Sequence, residues 1–122
     1  MILALPVYKK ELESKVFQSF GLAPYILIYN SVTTESEYLD HTEALNETAA
    51  GIRAARAIAD HGAKILLVPK CGENVEKILR NAEVLIYKSK SGTAKQNIDA
   101  FLSDQLDILT EFHFRMRNAE DC

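Results

Sequence analysis

The stretch Lys64-Ile65-Leu66-Leu67-Val68-Pro69-Lys70-Cys71-Gly72-Glu73-Asn74-Val75-Glu76-Lys77-Ile78-Leu79-Arg80-Asn81-Ala82-Glu83-Val84-Leu85-Ile86-Tyr87 decides the fold class. Ile65 to Val68 is an unbroken apolar run closed by Pro69, the pattern of a short strand buried on both faces. Val75, Ile78, Leu79 and Ala82 then recur at helical spacing, and Val84 to Tyr87 turns strand-like again. A strand, a helix and a strand in succession predict a parallel pair joined by a right-handed crossover.

The pattern extends outward in both directions. Upstream, Ile52, Ala55, Ile58 and Ala59 mark a helix over about 46–61, with Asn46 as N-cap and Gly62 just past its end. Downstream, Thr93 and Gln96 form a capping box ahead of Ile98, Phe101 and Leu102. Near the start, Ile2 to Val7 reads as a doubly buried strand that Pro6 should end, because proline cannot donate to a ladder. Tyr25 to Tyr29 is a second strand and Ser36 to His41 a weaker third, joined through residues of hairpin-turn composition. The expected order is β-β-β-α-β-α-β-α, an α/β fold with a mixed sheet. Residues 1–109 should form one domain, and 110–122, charged apart from Phe112 and Phe114, a loosely attached tail.

Composition narrows the function classes. In 122 residues, 48% are hydrophobic and 25% charged, which excludes a disordered chain. No apolar run approaches the ~20 residues of a spanning helix, so no membrane partner is expected. The first strand opens at Met1 without a basic leader and only two cysteines are present, which together favour a cytoplasmic protein. Residues 48–100 carry nine basic and five acidic side chains between two acidic flanks, yet the cations are scattered. That distribution disfavours nucleic acid and fits a mildly basic pocket for a small anion. Phosphate-loop motifs are absent, and the strands Ile2–Val7 and Ile65–Val68 hold no carboxylate for a two-metal nuclease.

In a sheet of this kind ligands collect beyond the carboxyl ends of the parallel strands. The loops expected there are 8–24, 42–51, 69–74 and 89–93, several with glycine beside a helix start, where backbone N–H groups favour an anion. Cys71 follows a buried strand, precedes a helix and adjoins Lys70; the helix N-terminal N–H groups and the ammonium both favour thiolate. The residues leave two roles open for it, a soft metal ligand or a small buried hydrophobe. No C-x-x-C or H-x-x-x-H spacing assists it, and Cys122 reads as a terminal thiol. His41, His61 and His113 are far apart in sequence and assemble no catalytic set. A Cys71 nucleophile would need a base that the sequence does not reveal.

Ser14-Lys15-Val16-Phe17-Gln18-Ser19-Phe20-Gly21-Leu22-Ala23-Pro24-Tyr25 resembles the S-x-V-S-x-H-F-G-R-A-P-Y-F pattern of the dinitrogenase iron–molybdenum cofactor biosynthesis family, of the NifX and NifB carboxy-terminal type. Leu3-Ala4-Leu5-Pro6-Val7 is similar to the family's opening strand, and Ala50-Gly51-Ile52-Arg53 to its glycine-rich helix start. Cys71-Gly72-Glu73-Asn74 occupies its G-P-N-A loop, and Ser91-Gly92-Thr93 with Ile98 to Leu102 its last glycine turn and helix. The resemblance covers about residues 2–109.

That resemblance implies a three-layer α/β/α, ribonuclease H-like fold with a mixed five-stranded sheet. It also implies binding or carrying of an anionic metal–sulfur cofactor or precursor, iron–molybdenum or iron–sulfur, with no catalysis by the protein. Carried onto this chain, the cofactor-binding residues are Ser19, Gly21, Gly51, Lys70, Cys71, Gly72 and Gly92, with Cys71 as the metal ligand. The chain also departs from the family pattern. Ser19 replaces a histidine, Leu22 an arginine, Glu73 a proline, and Ala49 and Ala50 the paired glycines. An imidazole ligand and an anion-binding guanidinium are lost together. A cluster-free regulatory or protein-interaction module is therefore the alternative expectation.

Overall fold

A computed structural model describes residues 1–44 and 49–109. The elements run β1 (Ile2–Val7), β2 (Tyr25–Asn30), β3 (Ser36–Asp40), α1 (Ala50–Asp60), β4 (Ile65–Val68), α2 (Glu73–Asn81), β5 (Leu85–Lys88) and α3 (Ala94–Leu102), with 3-10 turns at Phe20–Leu22 and Thr42–Ala44. The strands form one sheet in the order β3-β2-β1-β4-β5. β2 is antiparallel to both β1 and β3, whereas β1, β4 and β5 run parallel. The expected mixed five-stranded, ribonuclease H-like sheet is what the chain builds.

The continuous apolar runs have a direct cause. Ala4, Ile26, Ile28, Leu66, Val68 and Ile86 project to one face, where Ala54, Ala55 and Ile58 of α1 and Leu79 of α2 cover them. Leu3, Leu5, Val7, Leu27, Ile65 and Leu67 project to the other, beneath Ala94 and Ile98 of α3 and Leu106. Successive strand residues point to opposite faces, and here both faces are dry, so alternation disappears. On the α3 side Tyr87 and Phe101 meet edge to face, ring centroids 4.8 Å apart.

Several boundaries differ from the sequence expectation; β2 runs one residue longer, to Asn30, and β3 stops one residue earlier, at Asp40. Pro6 does not end β1: the strand runs to Val7, with Pro6 opposite Ile26 of β2. The pairing of β1 with β4 involves only Leu3 and Ala4, so proline's missing N–H removes nothing from that ladder. β5 starts at Leu85, one residue late, and Leu85 and Lys88 are exposed because it is an edge strand. α1 starts at Ala50, with Ala49 at the N-cap position and no side-chain cap; the expected cap, Asn46, lies outside the described residues, as do the tail at 110–122 and Cys122. Gly62 follows α1 with φ +78°, the left-handed stop expected of it.

The capping box at α3 is present in full. The Thr93 hydroxyl accepts from the Gln96 N–H at 3.1 Å, and the Gln96 side chain accepts from the Thr93 N–H at 2.9 Å. Leu66 is fully buried between α1 and the sheet. Leu66→Ala should cost about 2–5 kcal/mol and Thr93→Ala about 1 kcal/mol. Urea unfolding followed by circular dichroism should rank them in that order.

Candidate functional site

Parallel β1, β4 and β5 deliver their carboxyl ends to one edge of the sheet, and the loops leaving them build two adjoining cavities. The first, about 400 Å³, is lined by Ser19 and Gly21 from the first 3-10 turn, Gly51 from the start of α1, and Lys70, Cys71 and Gly72 between β4 and α2. Six of the seven residues named from sequence thus share one cleft.

Two glycines bring its walls together. A Cβ on Gly21 would lie 2.6 Å from the Cα and 2.8 Å from the backbone nitrogen of Gly51. A Cβ on Gly51 would lie 2.9 Å from a methyl of Val75 on α2. The 3-10 turn, α1 and α2 can approach this closely only because both side chains are missing. His41 adds a polar tie, its ring Nε2–H donating to the Gly21 carbonyl at 3.2 Å. This imidazole is buried at the end of β3, where the sequence allowed an exposed strand end. His61 lies elsewhere, past α1, donating from Nδ1 to the Ala57 carbonyl at 2.8 Å.

The cleft is electropositive by construction. α1 and α2 both begin on it, at Gly51 and Gly72, and neither the Ala49 nor the Gly72 N-cap position supplies a side-chain cap. Helix N-termini carry partial positive charge and N–H groups outside the helical ladder, and Lys70 adds a full charge. Glu73, in the first turn of α2, opposes this from an exposed position. Cys71 is only 3% exposed and packs within the α1–α2 core, its Sγ 3.6 Å from the Gly72 carbonyl. It therefore belongs to the cleft wall and to the core at once. Among the described residues no three His, Cys, Asp or Glu side chains group to hold a metal ion.

Gly92, the seventh residue, lines the neighbouring cavity of about 720 Å³, which shares Lys70 with the cleft. The helix start beside Gly92 does not offer its N–H groups to an anion. The N–H groups of Ala94 and Lys95 donate to the Ser14 and Leu12 carbonyls at 2.8 and 3.0 Å, and the capping box takes those of Thr93 and Gln96. Lys15, Ser89 and Lys90, on this second cavity, were not singled out from sequence. All three lie in loops expected at this edge, Lys15 in 8–24 and Ser89 and Lys90 in 89–93, but no local motif marks them individually.

The fold and both cavities occur in a chain whose residues 1–104 match the family model described as dinitrogenase iron-molybdenum cofactor. The chain belongs to this family. Solved structures agree. The apo form of the orange protein from Desulfovibrio gigas is 25% identical with a TM-score of 0.84, over 88% of this chain and 92% of that one. A Thermotoga protein assigned to NifB is 28% identical with a TM-score of 0.80, over 89% and 93%. A Methanocaldococcus jannaschii protein assigned as a dinitrogenase shares the fold at 16% identity, with a TM-score of 0.68 over 89% and 94%. No curated protein matches the chain. No helix among the described residues is long and apolar enough to cross a membrane.

Gly21→Ala should force the 3-10 turn off α1 and cost about 1–3 kcal/mol. Gly72→Ala, whose added Cβ meets nothing within 4 Å, should cost less than about 1 kcal/mol. Chemical denaturation of the pair measures the difference. The Asp40 carboxyl, at the end of β3, is held below its ordinary value by the Thr42 hydroxyl and then by the Thr42 backbone N–H. Its stabilising contribution is complete above the ordinary value and disappears as pH falls through the lowered one. Thr42→Val should move the Asp40 titration, followed by NMR, back toward 3.8.

Proposed function

We propose that this protein binds and carries an anionic metal–sulfur unit, an iron–molybdenum or iron–sulfur cofactor or its precursor, in the cleft formed by Ser19, Gly21, Gly51, Lys70, Cys71 and Gly72, without transforming it. The observation carrying this reading is the convergence of two helix starts, a lysine and a thiol on one cleft. Membership of the family supports it, as does likeness to the Thermotoga protein assigned to NifB. The donor set fits such cargo in one particular way. Among the described residues Cys71 is the only soft side chain lining the cleft, and at 3% exposure it offers a single bond at most. Charge and shape must supply most of the hold, as suits cargo that is later handed over. Nucleic acid is not a partner in this reading, and the protein acts in the cytoplasm as a single domain over 1–109 with its tail at 110–122.

Burial of Cys71, with Ser19 and Leu22 where the family pattern has histidine and arginine, favours a second reading: a regulatory or protein-interaction module that has dispensed with the cluster. Leu22, 53% exposed on the cleft rim, would then meet the partner.

Anaerobic reconstitution with iron, molybdate and sulfide, followed by metal analysis and absorption spectroscopy, separates the two. Wild type should retain metal well above background with sulfide-to-metal charge-transfer bands. Cys71→Ser should lose most of it while keeping its circular dichroism. Equal background metal in wild type and Cys71→Ser would sink the carrier reading. Capture of one stoichiometric protein without metal would support the module.

A further inference from the structure

The larger cavity does not fit the cargo proposed for the cleft beside it. Its cations are Lys15, Lys70 and Lys90, and among the described residues no carboxylate lines it, although the whole chain carries a formal charge of −3. Among the same residues no cysteine, methionine or histidine lines it either. Ammonium and hydroxyl groups are hard donors that satisfy oxygen acceptors better than sulfide.

Ser89 supplies a second, independent sign of a ligand. It lines this cavity, is 7% exposed, and its Oγ is buried with no hydrogen-bond partner among the described residues. Buried hydroxyls are nearly always bonded, and leaving one unmatched costs about 1–3 kcal/mol. The surrounding frame, by contrast, is fully tied. The Ser89 N–H donates to the Val68 carbonyl at 2.8 Å. Buried Asn97 accepts from the Lys90 N–H at 2.7 Å and donates to the Lys90 and Thr93 carbonyls, each at 3.0 Å. Lys15 lies in a bridge with Thr93, and the Ser14 hydroxyl accepts from the Tyr8 and Lys9 N–H groups while donating to the Lys15 carbonyl. These bonds fix the backbone from which Lys15 and Lys90 extend before any ligand arrives, which lowers the ordering cost of binding.

We propose that this cavity is a binding site for a tetrahedral oxyanion group of charge about −2, held by Lys15, Lys70, Lys90 and the Ser89 hydroxyl. Because the first-turn N–H groups of α3 are already bonded, these side chains and not a helix terminus do the holding. At about 720 Å³ the cavity exceeds a bare oxyanion and falls in the size range of small-molecule sites. Tyr8, 47% exposed and in tilted contact with Phe17 at a ring-centroid distance of 4.7 Å, gives it an aromatic wall for the body of a phosphomonoester. The assignment does not depend on cofactor carriage in the neighbouring cleft.

The test is an NMR titration of the isotope-labelled protein at constant ionic strength with inorganic phosphate and, separately, with adenosine monophosphate. Saturable shifts at the Ser89, Lys90 and Ser91 amides are expected with at least one of them. Tighter binding of the nucleotide by about tenfold or more identifies an ester as the source, and equal affinity a free oxyanion. Lys15→Gln with Lys90→Gln should weaken binding by about tenfold or more. Ser89→Ala should weaken it about threefold or more while leaving the thermal midpoint unchanged or raised, since it deletes an unmatched hydroxyl. Cys71→Ser should bind the anion as wild type does, whatever its effect on metal retention. Absence of saturable shifts with both anions at roughly ten-millimolar concentration, or shifts undiminished in the double lysine variant, would overturn the assignment.

Discussion

Everything at the functional edge depends on β1 lying between an antiparallel and a parallel neighbour. Its residues from Leu3 to Val7 are buried, with the α1–α2 pair on one side of the sheet and α3 on the other. Because β1 runs with β4 and β5, three strand ends and their loops open at the same edge. The β2–β3 hairpin on the far side contributes differently, returning His41 to brace the Gly21 turn from behind. The two cavities are products of this strand direction as much as of their own residues.

The architecture was legible because its signals are local. Ile65 to Val68 could only be a strand dry on both faces, and the Thr93–Gln96 box announced α3 in four residues. Pro6 misled for an instructive reason. A proline forbids a bond, not a strand, and whether that bond was needed depends on where the neighbouring ladder ends. The shift of β5 by one residue has a similar origin: the strand begins where its pairing with β4 begins, at Leu85, and sequence alone does not name that neighbour.

The site was legible at the level of loops but not of contacts. The family resemblance names Gly21 and Gly51 each as cofactor-binding residues; that they touch, thirty positions apart, is a tertiary fact. The loop around Gly92 read as an anion site through its helix start, yet the carbonyls of Leu12 and Ser14 take two of those donors. No local pattern could reveal that, since the competing acceptors come from a loop about eighty residues earlier. The same loop brings Lys15 to the cavity that Lys90 lines. What replaces the helix terminus is a set of side chains, with a different preference for oxygen over sulfur.

Asn97 has a consequence beyond its three hydrogen bonds. It sits on α3 but closes the loop that leaves β5, so helix and loop cannot come apart independently. In hydrogen-exchange language they are one cooperative unit, opening together or not at all. One wall of the larger cavity therefore inherits the persistence of a packed helix, although it is made of an exposed loop. Surface position and local stability, usually opposed, coincide there.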